Sequence, residues 1–129
     1  MAATFLDTSA IVKLVLHEPE SLALVEFLDG RADVEASELA VAEGGRAVRR
    51  AHANADAAGV LEALSLHRVS SDVLRRAALL EPLQLRTLDA IHLATALLHG
   101  DGDGCLVTYD TRMATAARAH GLRVVQPGR

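Results

Sequence analysis

Leu106-Val-Thr-Tyr-Asp110, continued by Thr111-Arg-Met-Ala-Thr-Ala-Ala-Arg-Ala-His120, Gly121 and Leu122-Arg-Val-Val125, carries the clearest structural signal in the chain. Leu106 to Tyr109 is a short apolar run rich in β-formers and reads as a buried strand. Thr111 to His120 has helical spacing with Gly121 as its stop, and Leu122 to Val125 returns to strand. A strand, a helix and a second strand in such close succession form a crossover connection, and strands joined by a crossover lie parallel.

The same alternation extends outward to both sides. Thr4 to Leu6 reads as a short strand, and Thr8 or Ser9 is the expected cap of a helix through Ile11, Leu14 and Val15 that ends near Glu18-Pro19. A second helix is expected from Glu20 to Asp29, stopped by Gly30. Val34 to Ala36 is a strand candidate, Ser37 the cap of a helix to about His52, and Asp56 to Leu64 a further helix antiparallel to it. Leu66 to Val69 reads as the third strand, followed by a Ser71-capped helix to about Leu80, before Pro82. Thr87 is the expected cap of an apolar helix containing Leu88, Ile91, Leu93, Leu97 and Leu98, and Asp101-Gly-Asp-Gly is a turn. Only Gly44-Gly45, inside the third helix, runs against local propensity. The expected architecture is α/β, a three-layer sandwich with a parallel sheet of about five strands flanked by helices.

A chain of 129 residues suits one domain over residues 1–129, with a single core. Half of its residues are hydrophobic and only 2% are aromatic, a composition of folded α/β proteins rather than of disordered ones. Thirteen basic residues against 17 acidic ones give a net charge of −4, so any affinity for nucleic acid must arise locally. Cys105, the only cysteine, sits inside an apolar run; a buried, reduced thiol fits a cytoplasmic location. The N-terminal segment lacks a basic region and no apolar stretch approaches a bilayer span, so a soluble protein without membrane association is expected.

Asp7 ends the first strand, Asp110 ends the fourth, Asp89 opens the apolar helix and Glu43 lies within the third helix. Taken singly, Asp7 and Asp110 are explained as helix caps and Asp89 as a charge that complements the helix dipole. Glu43 has no such reading, because it lies about six residues beyond Ser37, out of reach of the first-turn dipole. Jointly they mean more. In parallel sheets ligands bind outside the carboxyl ends of the strands, where strand order reverses, and all four acids can reach that place. Like charges tolerate one another there when a hard divalent cation sits among their oxygens, and a carboxylate set favours Mg²⁺ or Mn²⁺ over Zn²⁺.

Glu38, a rival to Glu43, is read as a first-turn structural acid, and His92, one turn after Asp89, as a core or rim residue with a minority reading as a ligand. Arg46 and Arg50 share a helical face with Glu43, with Arg49 and His52 beside them, and Arg112 follows Asp110. Such groups could hold backbone phosphates, although a solvated helix surface explains them equally.

With these residues in place, the chain resembles the PIN-domain family, and within it the VapC toxins of type II toxin–antitoxin pairs. The matching segments are Phe5-Leu-Asp7-Thr-Ser-Ala, Ser37-Glu-Leu-Ala-Val-Ala-Glu43, Leu85-Arg-Thr-Leu-Asp89-Ala-Ile-His-Leu-Ala-Thr-Ala and Leu106-Val-Thr-Tyr-Asp110-Thr-Arg-Met, in the family's order and approximate spacing. The resemblance implies a five-stranded parallel sheet and an endoribonuclease activity with Asp7, Glu43, Asp89 and Asp110 as the acidic quartet binding Mg²⁺, with Mn²⁺ as a substitute. Thr8 and Thr108 would be neighbours that orient the site. Cations held by Asp7, Asp89 and Asp110 would neutralise charge developing on the phosphodiester, while Glu43 would complete a second metal site or position the attacking water. Single-stranded or looped RNA is the expected substrate. The resemblance also implies a cognate antitoxin whose helix lies against Val12, Val15, Leu16, Val25 and Leu28, and a homodimer. Gly44-Gly45 departs from the bulkier residues usual in relatives.

Other classes fit less well. A receiver domain needs a lysine at a late strand end, whereas the only lysine is Lys13; a haloacid dehalogenase-like phosphatase needs an acid where Ser9 stands. A noncatalytic binding protein of the same fold and a DNA-directed nuclease of the same superfamily remain as alternatives.

Overall fold

In the computed structural model, residues 2–100 and 102–129 are described; Asp101, and with it part of the expected turn, lies outside them. The described chain forms β1 (Thr4–Leu6), α1 (Thr8–Val15), α2 (Ser21–Leu28), β2 (Val34–Ser37), α3 (Leu39–Ala51), α4 (Ala58–Glu62), β3 (Ser65–His67), α5 (Ser71–Leu79), α6 (Thr87–His99), β4 (Cys105–Val107), α7 (Thr111–Ala119) and β5 (Arg123–Val125). The five strands form one sheet in the order β3-β2-β1-β4-β5, and every pairing is parallel. The sheet, its strand number and its crossovers therefore agree with the sequence expectation.

Because side chains alternate across a strand, neighbouring residues of β1 and β4 feed opposite faces. Phe5 and Leu106 pack with Val73 of α5, Leu93 of α6 and Met113 of α7. Leu6 and Val107 pack instead with Ile11 of α1, Leu24 of α2, Val48 of α3 and Leu61 of α4. Each face of the sheet thus carries its own helical layer, which is the three-layer sandwich.

Local boundaries differ where hydrogen bonding overrides propensity. Asp7, not Thr8 or Ser9, caps α1, because its carboxylate accepts from the Ala10 amide at 3.2 Å. Ser70 rather than Ser71 caps α5 through the Val73 amide at 3.2 Å. Arg86 occupies the cap position of α6 without a side-chain bond, so Thr87 is already helical. At α3 the Ser37 hydroxyl accepts from Leu39 at 3.1 Å, one position earlier than a cap would sit. The expected helix from Asp56 shrinks to α4, since the Asp56 carboxylate accepts from the Ala58 amide at 2.9 Å and holds the chain in a turn. Gly30 and Gly121 stop α2 and α7 with φ of 80° and 84°, as read from the sequence.

Gly44-Gly45 does not break α3, which runs unbroken through both. Gly44 is buried where α3 crosses α1, and a Cβ there would stand 3.5 Å from Ile11 Cγ2. A Cβ at Gly45 would meet nothing within 4 Å, so that glycine only costs the helix entropy. On this basis Gly45→Ala raises unfolding stability by roughly 0.5–1 kcal/mol in urea titration.

A charged network, buried at Lys13 and Glu20 and exposed at Arg129, closes the α1–α2 side. Lys13 Nζ donates to Glu20 Oε1 at 2.9 Å, and Arg129 Nε donates to Glu20 Oε2 at 2.9 Å. The Lys13 bond first, and the Arg129 bond second, hold the Glu20 carboxyl down to about 2 from its ordinary 4.5. A carboxyl with a depressed folded pKa contributes stability that is complete above its unfolded value and is lost as pH falls through the folded one. Stability in a pH series should therefore decline between pH 4.5 and about 2, and Glu20→Gln should flatten that part of the curve.

Candidate active site

From β1 the chain winds outward through β2 to β3, then returns to β4 on the other side of β1. Strand order thus reverses between β1 and β4, and the crevice beyond their carboxyl ends is the place where a parallel sheet receives ligands. The register pairs Leu6 with Val107, so the residues that follow, Asp7 and Thr108, leave the sheet side by side.

Two hydroxyls join the ends of these strands. Thr108 Oγ1 donates to Asp7 Oδ2 at 2.5 Å and accepts from the Asp110 amide at 3.1 Å. Ser9 Oγ donates to Asp7 Oδ1 at 2.6 Å and accepts from the Tyr109 amide at 2.8 Å. Asp7 is 4% exposed. Burial pushes its carboxyl up, against the opposing pull of the Ser9 and Thr108 bonds and of His92.

Glu43 comes from α3 on the other side of β1. Its Oε1 lies 2.5 Å from His92 Nε2 and accepts from Thr8 Oγ1 at 3.1 Å. The His92 bond holds its carboxyl below the ordinary range. His92 itself is buried, and its Nδ1 has no hydrogen-bond partner among the described residues. The glutamate that had no structural partner in the sequence is therefore anchored across the site by a histidine from α6. Glu38, its rival, holds the backbone instead: its Oε1 accepts from the Val69 amide at 3.1 Å.

Asp89 stands half-buried in the first turn of α6. Burial raises its carboxyl most, followed by the negative charges of Asp110 and Asp7, with Glu43 adding to them and His92 opposing. Asp110, Asp7 and Glu43 are therefore each within electrostatic reach of Asp89. Asp110 is exposed and caps α7 through the Met113 amide at 3.0 Å. The caps foreseen for Asp7 and Asp110 hold, and capping leaves each carboxylate further acceptor lone pairs. Among the described residues no three His, Cys, Asp or Glu side chains are gathered into a ready ligand set. Asp7, Glu43 and Asp110 are each held by their own hydrogen bonds, and of the quartet Asp89 and Asp110 line the open cleft while Asp7 and Glu43 do not.

An open cleft of about 380 Å³ is lined by Arg86, Asp89, Tyr109, Asp110, Thr111 and Arg112. Arg112 therefore borders the acids, as its place after Asp110 led one to expect. Arg46 and Arg50 do not line the cleft; they are exposed on α3, one and two turns beyond Glu43. Arg86, Ser9 and the pairing of His92 with Glu43 are additions of the tertiary structure. Arg86 carried a signal, because it stands three residues before Asp89. Ser9 carried only a capping signal, and nothing in the sequence pairs His92 with a residue 49 positions away.

A family model for the PIN domain matches residues 4–119. Ribonuclease VapC46 of Mycobacterium tuberculosis is 50% identical over 129 residues, covering 98% of this chain and 99% of its own. A toxin–antitoxin complex from Klebsiella pneumoniae superposes with a TM-score of 0.69 at 25% identity, covering 98% of each chain. Mycobacterium tuberculosis VapC20, a sarcin–ricin loop cleaving toxin, superposes with a TM-score of 0.74 over 97% of this chain and 100% of its own; at 17% identity it bears on the fold alone. By a family match over most of its length, and by identity at half its positions to a whole VapC chain, the protein belongs to the PIN-domain family.

Proposed function

We propose that residues 1–129 form one nuclease domain, a divalent-metal-dependent endoribonuclease that acts as the toxin of a VapBC-type pair. The observation that carries this reading is the Thr108 hydroxyl, which joins Asp7 to the strand end that carries Asp110; beside them the Asp89 carboxyl is raised by burial first and then by the charges of Asp110, Asp7 and Glu43. Such a cluster is relieved by a hard cation and is otherwise a standing cost to the fold. Full-length similarity to a named ribonuclease supports RNA as the substrate.

The donor set fits such an ion. It consists of carboxylates, the one cysteine is buried in β4, and the Nε2 of His92 is turned to Glu43. Oxygen donors of this kind favour Mg²⁺, with Mn²⁺ as a substitute. Asp7, Asp89 and Asp110 are the ligands in this reading. Bound there, the cation supplies neutralisation of the charge developing on the phosphodiester oxygens and a lowered pKa for the attacking water.

The rest falls to the chain's own groups. Thr108 and Ser9 hold the two oxygens of Asp7 in fixed directions. His92 and Thr8 hold Glu43 ionised at the cleft, where it completes the metal site or accepts a proton from water. Arg86 and Arg112 bring positive charge to the cleft mouth and receive the phosphates flanking the cut, and Arg46 and Arg50 meet the strand farther along α3. Single-stranded or looped RNA is the substrate form in this reading, because its backbone can bend to bring a phosphate to the acids.

Partners follow the same reading. On α1 and α2 a shallow hollow is lined by Leu14, Val25, Glu26, Leu28 and Asp29, beside Leu22, which is 66% exposed. An amphipathic antitoxin helix would cover it. A second copy of the chain is the expected partner for a homodimer, and sedimentation reads the oligomeric state directly. Among the described residues no helix is long and apolar enough to cross a membrane; together with the buried free thiol of Cys105, this supports a cytoplasmic location.

The test is cleavage of a mixed RNA pool with Mg²⁺, with Mn²⁺ and with chelator. Asp7→Asn is expected to lower cleavage on the order of 100-fold or more. Circular dichroism checks that the variant is folded, since the amide keeps one oxygen to accept from Ser9 and the Ala10 amide but presents a donor where Thr108 now donates. Cleavage that survives chelation, or equal activity in Asp7→Asn, sinks the reading.

A further inference from the structure

Between the end of β4 at Val107 and the start of α7 at Thr111, the chain has no helix or strand to hold it. Yet these three residues carry Thr108, which binds Asp7, and Asp110 of the quartet. Asp7 and Ser9 hold the segment through the Thr108 hydroxyl and the Tyr109 amide. Its carbonyls are held from elsewhere. Gln126 Nε2 donates to the Thr108 carbonyl at 2.8 Å, and Arg129 Nη1 donates to the Tyr109 carbonyl at 3.0 Å. The Tyr109 hydroxyl in turn donates to the Pro127 carbonyl at 2.7 Å.

Residues 126–129 are themselves fastened. Arg129 Nε reaches Glu20 Oε2 at 2.9 Å, its guanidinium lies 5.4 Å from the centre of the Tyr109 ring, and Lys13 lies 4.8 Å from the same ring. Gly128 has φ of 91°, and a Cβ there would stand 3.1 Å from Glu20 Cα, so both conformation and space call for glycine. This segment lies beyond residues 4–119, the part that matches the family model.

We propose that Gln126 to Arg129 are positioning residues of the carboxylate cleft: by fixing the carbonyls of Thr108 and Tyr109, they set where Thr108 meets Asp7 and where Asp110 stands. None of them touches a carboxylate of the quartet, so they act through the backbone of 108–110. The inference rests on the nuclease reading of the site.

The test compares the unsubstituted protein with Gln126→Ala and Arg129→Ala, well below their melting temperatures. Mn²⁺ affinity by calorimetry is expected to fall roughly 10- to 100-fold in Arg129→Ala, as for other residues that orient ligands, with a smaller loss in Gln126→Ala. The turnover number should fall while KM for RNA stays within about twofold, and exchange of the Tyr109 and Asp110 amides should quicken. Arg129→Lys, which retains one donor group, should recover part of the loss. A folded variant with lowered melting temperature but unchanged Mn²⁺ affinity and turnover would show a merely structural segment and overturn the proposal. If Arg129→Ala does not fold, Gln126→Ala, which loses one neutral hydrogen bond, decides by the same measurements. An unsubstituted protein that neither binds Mn²⁺ nor cleaves RNA overturns the nuclease reading and this role with it; unchanged Mn²⁺ affinity and turnover in folded Gln126→Ala and Arg129→Ala overturn this role alone.

Discussion

Parallel pairing of β1 with β4 is the constraint from which the rest of the molecule follows. In this register Leu6 lies opposite Val107, so two strands far apart in sequence leave the sheet together and deliver Asp7 beside Thr108. Both strands are buried on both faces, and slipping the register would move Leu6 and Phe5 into each other's cores. The hydrophobic layers that stabilise the sandwich therefore also specify, without any contribution from the acids, where the acids must stand.

What the acids then contribute is a conflict. Burial raises Asp7, and burial together with like charges raises Asp89. Hydroxyls and an imidazole offset the conflict one carboxylate at a time: Ser9 and Thr108 for Asp7, His92 and Thr8 for Glu43. The result is a site in which Asp7 and Glu43 are held by hydrogen bonds while Asp89 bears the burial and the like charges around it. Such a site is poised for a cation and an anionic strand, and it explains how a chain of net charge −4 can be read as acting on RNA. Positive charge stands beside Asp89 and Asp110 in the cleft lining, at Arg86 and Arg112.

The network around Tyr109 extends this logic to the backbone. A loop of three residues that serves a site must be rigid, yet it has no ladder or helix of its own. The Asp7–Ser9 pair holds its Thr108 hydroxyl and Tyr109 amide, Gln126 and Arg129 hold its Thr108 and Tyr109 carbonyls, and Asp110 bonds through its backbone to Thr108 and Ala114. Lys13, Glu20 and Arg129 thus join α1 and α2, the surface proposed for the antitoxin, to the loop that carries Asp110.

Strand–helix alternation, the glycine stops and the four acids at strand and helix ends were all legible in the amino-acid sequence, because each depends on local periodicity and on short-range chemistry. Helix caps were legible only to within a residue or two: Asp7 displaced Thr8, and Ser70 displaced Ser71, because adjacent polar residues compete for the same amide and only the backbone dihedrals choose between them. The Gly44-Gly45 pair looked like a weakness and is partly a crossing point, since the neighbour that makes Gly44 useful is Ile11 in another helix. By itself the sequence determined which residue types were present and on which element each would ride. Tertiary structure alone decided that His92 anchors Glu43, that Ser9 and Thr108 splice two strand ends, that Arg46 and Arg50 stay off the cleft that Arg112 borders, and that Arg129 returns to hold Tyr109. The physical reason is the same in each case. These are hydrogen bonds and close approaches between residues distant in the chain, and no local pattern encodes them until the sheet has set its register.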